Sequence, residues 1–399
     1  MKGTNQGIRV CILAMTGSWG GMEVHTVNLA CELKARGHDV EILEIGDGIY
    51  DQANITGKER IRVCHVKKGH YSNQLSLLES LQILMPAECE VLVLPKGCID
   101  KGGWRLDVAA RLLFKRFISI EHLECQVMPK KGKGRHLWGF LPGLGLWWYG
   151  LFVSRYLRGL GPHHIICVSD AVRRSLIEIY KFRPQKLTTI RNGIDVEKFS
   201  PSSAFRKAKR DGWGISEEAL VFGSIGRLSP EKGFDTSIKL FGTLINSRPK
   251  LDMRYVIIGE GSSRGILLRL IEEHGLKDKV SLLGFSDRPW EIYPALDVFL
   301  MPSVIEGLPL TLLEAMASGC CPVATGVSGI PEVLTNKNLG WLERPGDRRG
   351  FLRAMTEVAD SPIESLHKMG RLAREHVLSH FNGKAQFKAI ADLIENLSV

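Results

Sequence analysis

The chain has 399 residues and is 44% hydrophobic, enough for two domains with a sizeable core, which excludes disordered and collagen-like classes. Its net charge of +10 is uneven: residues 101–160 carry 11 Lys+Arg against 3 Asp+Glu. That asymmetry fits an anionic partner of one region, and no fold signature supports a nucleic-acid partner. Nine scattered cysteines without a Cys-x-x-Cys suit a reduced, cytosolic chain. The apolar stretch after Met1 is short and fits a first strand better than a secretory leader.

In chain order, residues 8–14 are predicted as a buried strand, followed by a Gly-rich turn with Gly20-Gly21-Met22-Glu23 and a helix over 24–36 closed by Gly37. Strand, turn and helix open a Rossmann-like unit, but the spacing is not G-x-G-x-x-G, so the dinucleotide fingerprint is absent. Gly20 and Gly21 are either a plain tight turn or a loop whose backbone can approach a phosphate or an acceptor. Further strands are expected at 38–45, 61–66, 89–94 and 117–120. The last runs into His122, where open α/β sheets place their ligands; a lone His there can equally be structural.

Segment 128–160 has its own character. Lys130, Lys131, Lys133 and Arg135 precede Leu137 to Val153, a run without charge that contains Trp138, Trp147 and Trp148. Trp interleaved with basic residues suits an anionic membrane surface. A buried amphipathic helix is the alternative reading. A true span is disfavoured by Pro142 and four glycines.

Residues 165–170 read as a strand entering a helix with Asp170 as N-cap, and 187–190 as another strand before the turn Arg191-Asn192-Gly193-Ile194-Asp195. A polar stretch over 199–215 is expected to link two domains. The strand–helix alternation then restarts. A strand at 220–225 leads to Gly226 and Arg227, with Lys232 five residues on. Two cations beside a Gly-bordered loop can neutralise a diphosphate, and they can also be an ordinary solvated turn. Strands follow at 255–258 and 298–301, with a strand and turn over 280–285 between them. After the last come Glu306, Gly307, Leu308, Pro309 and a helix from Leu310 to Ser318, ended by Gly319. Pro309 suits a first helical turn, whose outward N–H groups seat a phosphate. Glu306 and Glu314 frame that turn, and carboxylates accept hydrogen bonds from the paired hydroxyls of sugars. A polar-capped helix over 381–397 ends the chain.

The string Glu306-Gly-Leu-Pro-Leu-Thr-Leu-Leu-Glu314, with Pro322-Val-Ala-Thr and Gly329-Ile-Pro-Glu, closely resembles the donor signature of retaining glycosyltransferases of the GT-B fold, family 4 (glycosyl transferases group 1). Gly226-Arg-Leu-Ser-Pro-Glu-Lys-Gly-Phe-Asp resembles that family's diphosphate-binding segment, and Gly20-Gly21-x-Glu23 and Asn192-Gly-Ile-Asp also fit. The resemblance is strong over about 190–345 and weak before 165.

The resemblance implies an α/β fold of two Rossmann-like domains facing across a cleft: 1–198 for the acceptor, a linker at 199–215, 216–378 for the nucleotide-diphosphate sugar, and 379–399 crossing back. It implies Glu306 on the donor sugar, Glu314 on the ribose, and Arg227 and Lys232 on the phosphates with the turn Gly307-Leu308-Pro309-Leu310. Gly284 and Phe285 would border the nucleobase, and His122 the reacting sugar. It implies retention of configuration and transfer of a hexose-type sugar to an acceptor hydroxyl; the basic Trp-rich segment 128–160 favours a glycan or lipid-linked acceptor, for glycolipid or surface polysaccharide. No Asp-x-Asp is present, so neither metal nor cofactor is expected. The expected location is cytoplasmic, on the inner face of the membrane. The rival classes are a phosphorylase of the same architecture, an NAD-dependent oxidoreductase, and a non-catalytic membrane-docking protein.

Overall fold

The structure, a computed structural model, describes residues 7–15, 20–46, 48–52, 61–67, 75–97, 103–123 and 161–398. The basic Trp-rich segment 128–160 lies outside these. The chain divides into two compact units, one of residues 1–190 with 387–399 and one of residues 191–386. No helix among the described residues is long and apolar enough to cross a membrane.

The first unit is built on β1 (Arg9–Met15), β2 (Asp39–Ile45), β3 (Arg62–Lys67), β4 (Val91–Lys96), β5 (Arg116–Glu121), β6 (His164–Cys167) and β7 (Leu187–Thr189). They pair in the order β3-β2-β1-β4-β5-β6-β7, every pair parallel. Parallel strands covered by helices must be apolar on both faces. Accordingly Val10 through Leu13 and Leu92 through Leu94 are wholly buried. Helix Gly21–Ala35 connects β1 to β2 and buries Leu29, Ala30 and Leu33.

The second unit repeats the plan with β8 (Leu220–Ile225), β9 (Met253–Ile258), β10 (Val280–Leu282), β11 (Val298–Met301), β12 (Cys321–Thr325) and β13 (Trp341–Glu343). Their order is β10-β9-β8-β11-β12-β13, again parallel throughout. Phe222 meets Phe241 edge-on in its core, and Phe241 meets Tyr255 at a tilt, with centroids 5.5 and 5.4 Å apart. In each sheet the winding reverses once, between β1 and β4 and between β8 and β11. Ligands of open α/β sheets bind beyond the carboxyl ends of the strands at such a reversal.

Several expectations need correction. The supposed linker 199–215 contains the helix Ser203–Trp213, capped by the Ser202 hydroxyl. Its Arg210 is fully buried, bonds Asp297 Oδ2 at 2.8 Å and donates to the carbonyls of Ala295, Ser216, Glu217 and Ala219. A polar composition had hidden a helix that buries one of its charges, Arg210, while Lys207 and Asp211 stay exposed. Pro309 is the N-cap, outside the helix Leu310–Ala317, with Ser318 as C-cap. Ser169, not Asp170, caps the helix Asp170–Glu178, because its hydroxyl reaches the Val172 N–H. By contrast, the strand and turn read over 280–285 are as expected: β10 ends at Leu282, and Gly284 and Phe285 lie in the loop after it.

Candidate functional site

The loops leaving β8 and β11 hold the charged residues singled out from the sequence. After β8, Gly226 donates its N–H to the Ile258 carbonyl at 3.0 Å. Arg227 follows, exposed, and a short 3-10 turn Pro230–Lys232 leads to Gly233 and the helix Phe234–Ser247. Gly233 has φ +68, and a Cβ there would lie 2.2 Å from the Pro302 carbonyl oxygen. Only glycine allows the two loops to touch at this point.

That contact brings Lys232 to the loop after β11. The Lys232 Nζ lies 2.7 Å from Glu306 Oε1. The same oxygen accepts from the Ser303 hydroxyl at 2.7 Å, and the Glu306 N–H donates to Ser328 Oγ at 3.3 Å. Glu306 and Ser303 are buried, while Lys232 is about a quarter exposed. Ser328 has φ +50, an uncommon conformation for a side-chain-bearing residue and a sign of a constrained loop. Nearby, burial works against the charge of Glu231. The Ser229 hydroxyl, its own backbone N–H, Lys232 and Arg227 outweigh that and hold its carboxyl below the ordinary value.

The turn Gly307-Leu308-Pro309 feeds the helix Leu310–Ala317. It is held from both sides: Gly329 donates to the Gly307 carbonyl at 2.8 Å, and buried Asn192 donates through Nδ2 to the Leu308 carbonyl at 2.8 Å. Asn192 Oδ1 in turn accepts from Gln386 Nε2 at 3.2 Å. The first N–H groups of the helix have no intrahelical acceptor and form a ready anion seat.

Glu314, half-buried, projects from this helix. Burial pushes its carboxyl up to about 7, against the hydrogen bond from Tyr293 and the charge of Lys198. Tyr293 Oη donates to Glu314 Oε2 at 2.7 Å. Lys198 Nζ lies 3.7 Å from the centroid of the Trp290 ring. Gly284 accepts from the Gly259 N–H at 2.7 Å, and Phe285 is exposed.

The second unit therefore gathers Gly226, Arg227, Lys232, Glu306, Gly307, Leu308, Pro309 and Leu310 on the loops at one strand reversal, with Glu314 in the helix that follows. Ser303, Ser328, Asn192 and Tyr293 emerge only from the structure. Ser303 had a weak signal in its Ser-x-x-Glu spacing to Glu306, and Asn192 had one in the Asn192-Gly-Ile-Asp motif, though not for this role; Ser328 and Tyr293 had none.

The first unit holds the remaining candidates. His122 follows β5, and its N–H donates to the Lys96 carbonyl at 2.9 Å. Its ring meets that of His25 edge-on, centroids 4.7 Å apart. His25 is buried; that burial, and His122 beside it, hold its imidazole well below the ordinary value. Gly20 caps the helix that Gly21 begins. Below them Lys96 and Asp107 form a fully buried ion pair. Among the described residues no three His, Cys, Asp or Glu side chains gather as a metal-ligand set.

Two parallel Rossmann-like sheets, each with one reversal, define the GT-B class. Residues 205–376 match the family model for glycosyl transferases group 1, and residues 103–198 match that for glycosyltransferase family 4. The chain belongs to the group 1 glycosyltransferases.

One curated relative, an Escherichia coli UDP-Gal:alpha-D-GlcNAc-diphosphoundecaprenol alpha-1,3-galactosyltransferase, is 28% identical over 236 residues, 59% of this chain and 60% of that protein. A D-inositol 3-phosphate glycosyltransferase of Stackebrandtia nassauensis is 27% identical over 90% of this chain and 83% of that one. Among solved structures, Anabaena HepE in complex with UDP and glucose has a TM-score of 0.78 at 18% identity, covering 98% of this chain and 100% of that one. The structural likeness shows the fold.

Proposed function

We propose that this chain is a retaining, metal-independent glycosyltransferase that moves a hexose from a nucleoside-diphosphate sugar to a hydroxyl of a lipid-linked or glycan acceptor. The observation that carries the reading is the contact of Lys232 with Glu306 beside the free helix N-terminus at Leu310. It places a cation, a carboxylate and unpaired N–H groups on adjacent loops at one strand reversal.

In the reaction, the bond from the anomeric carbon to the diphosphate oxygen breaks and its electron pair leaves with the diphosphate. A bond forms from the same carbon to the acceptor oxygen, which loses its proton. Negative charge grows on the leaving group, and donors already aimed at that charge lower the barrier. Arg227, Lys232 and the N–H groups after Gly307 take that role. Glu306 holds hydroxyls of the donor sugar, and Glu314 those of the ribose. Gly284 and Phe285 border the base. His122, with Gly20 and Gly21, serves the reacting sugar and the acceptor in the first unit. Two protein cations supply the charge that a divalent metal would otherwise contribute.

UDP is the first nucleotide to test, because the E. coli relative is named for UDP-Gal and HepE was solved with UDP. A diphosphoundecaprenol-linked sugar in that relative's name favours a lipid-linked acceptor, and with it a place on the cytoplasmic face of a membrane.

The test is thermal stabilisation by UDP, GDP, ADP and NAD with EDTA present, followed by transfer from the matching nucleotide sugar and assignment of the product anomer. A native-state ligand at a hundredfold excess over Kd adds ~2.7 kcal/mol, a readable shift. Stabilisation by one nucleoside diphosphate and formation of the retained anomer are expected. A shift with NAD alone, or none, overturns the reading.

A further inference from the structure

We infer that Tyr293 is a positioning residue for nucleotide binding, one that fixes the Glu314 carboxylate by occupying its Oε2 and so directs Oε1 to the ribose. This rests on the donor-site reading of Glu314.

The side chain is immobile by construction. Tyr293 is fully buried, its ring edge-on to Phe199 and Phe299 with both centroids 5.9 Å away. Its carbonyl accepts from the Leu296 N–H at 3.0 Å and from Cys320 Sγ at 3.2 Å. The hydroxyl is thus a donor at a set point, 2.7 Å from Glu314 Oε2. A half-buried carboxylate on the second turn of a short helix has several rotamers. A bond from a rigid donor removes most of them before the ligand arrives, and that preorganisation lowers the entropic cost of binding. The hydroxyl also favours the ionised carboxylate, the form that accepts from both ribose hydroxyls.

The charged groups around Glu314 are few. Lys198 approaches from the turn after Asn192 and favours ionisation. Cys320 faces Tyr293, not the carboxylate. Arg374, from the helix Ile363–His380 packed alongside, spends its guanidinium on the carbonyls of Phe199 and Ala317. The Tyr293 hydroxyl is the hydrogen-bond donor the described structure places on Glu314.

The test is Tyr293→Phe, which keeps the ring and removes one oxygen. Affinity is measured by calorimetry for UDP and 2′-deoxy-UDP at pH 8 and through pH 6–8.5, with GDP and ADP in parallel and Glu314→Gln beside it. Tyr293→Phe is expected to bind UDP about tenfold more weakly at pH 8. Its preference for UDP over 2′-deoxy-UDP should shrink, and the pH of half-maximal affinity should rise. A purely structural tyrosine would lower the thermal midpoint of the free protein and leave the deoxy preference and pH midpoint unchanged. UDP affinity within twofold of the parent, with the same pH midpoint, overturns the inference. If Glu314→Gln also binds normally, the ribose role of Glu314 fails with it; if Glu314→Gln weakens binding and Tyr293→Phe does not, only the inference is lost.

Discussion

The Lys232 ammonium and the Glu306 carboxylate are in contact at 2.7 Å, although they leave different strands and are separated by 74 positions in the chain. A carboxylate beside a diphosphate seat would repel the ligand. Paired with Lys232 it presents a nearly neutral unit, and the incoming phosphate then competes for one corner of the ammonium.

Lys232→Ala is therefore expected to do two things, removing a donor to the leaving diphosphate and leaving Glu306 uncompensated. The barrier should rise by about 2–4 kcal/mol, seen mainly in kcat. Glu306 is buried although Lys232 is a quarter exposed, so the uncompensated carboxylate should also lower the thermal midpoint. Steady-state kinetics with the matching nucleotide sugar check this, and a wild-type rate would remove Lys232 from the phosphates.

Glu314 gives opposite pH effects on folding and on binding. Its carboxyl, pushed up to about 7 by burial, holds a proton in the folded chain between about pH 4.5 and 7, where the unfolded chain has lost it. Folded Glu314 then binds more protons, so its contribution to stability falls as pH rises through that window. Nucleotide affinity, which needs the carboxylate, should rise over pH 6–8. Glu314→Gln should accordingly raise the thermal midpoint of the free protein at pH 8 while weakening nucleotide binding. Denaturation and calorimetry on one sample set would show both.

Asn192→Ala strands two buried partners, the Leu308 carbonyl and the Gln386 amide. A cost of about 1–3 kcal/mol in urea unfolding is expected. The turn before Leu310 should also loosen, so nucleotide affinity should drop further than in a control variant of equal stability elsewhere in the unit.

Arg210→Ala should be worse. It leaves Asp297 buried with only Arg206 and the Val221 N–H, and four carbonyls lose a donor. Breaking a buried pair in this way costs about 3–5 kcal/mol. Arg210→Lys should rescue little, since an ammonium cannot span the guanidinium's partners. Urea midpoints of both variants decide the matter.

The inner strands of the first unit were legible because β1, β4 and β5 are apolar runs covered on both faces of a parallel sheet. In the second unit β12 and β13 escaped notice. β12 carries Pro322 opposite Phe299, and proline argues against an inner strand; β13 has three residues, too few for a pattern. Arg227, Lys232, Glu306 and Glu314 were legible through motif and spacing. Their supports were not, because Ser328 on Glu306 and Tyr293 on Glu314 are contacts between separate elements, 22 and 21 positions apart, set by how the strands stack and by no local periodicity. The helix Ser203–Trp213 was not legible for a related reason: the ion pair that anchors it, Arg210 with Asp297, joins positions 87 apart.

The last thirteen residues belong to the first unit. Arg36 grips Asp392 and Glu395, His38 reaches Glu395, and Ile390, Ala391 and Ile394 are fully buried. The unit's sequence is thus interrupted by 196 residues of the other unit, from 191 to 386. A gene fusion with a single junction cannot transplant it intact. Any chimera that exchanges the first unit between relatives must exchange residues 1–190 and 387–399 together. A swap that forgets the tail would put a foreign helix against Arg36 and His38, and it would be read, wrongly, as an incompatibility of substrate.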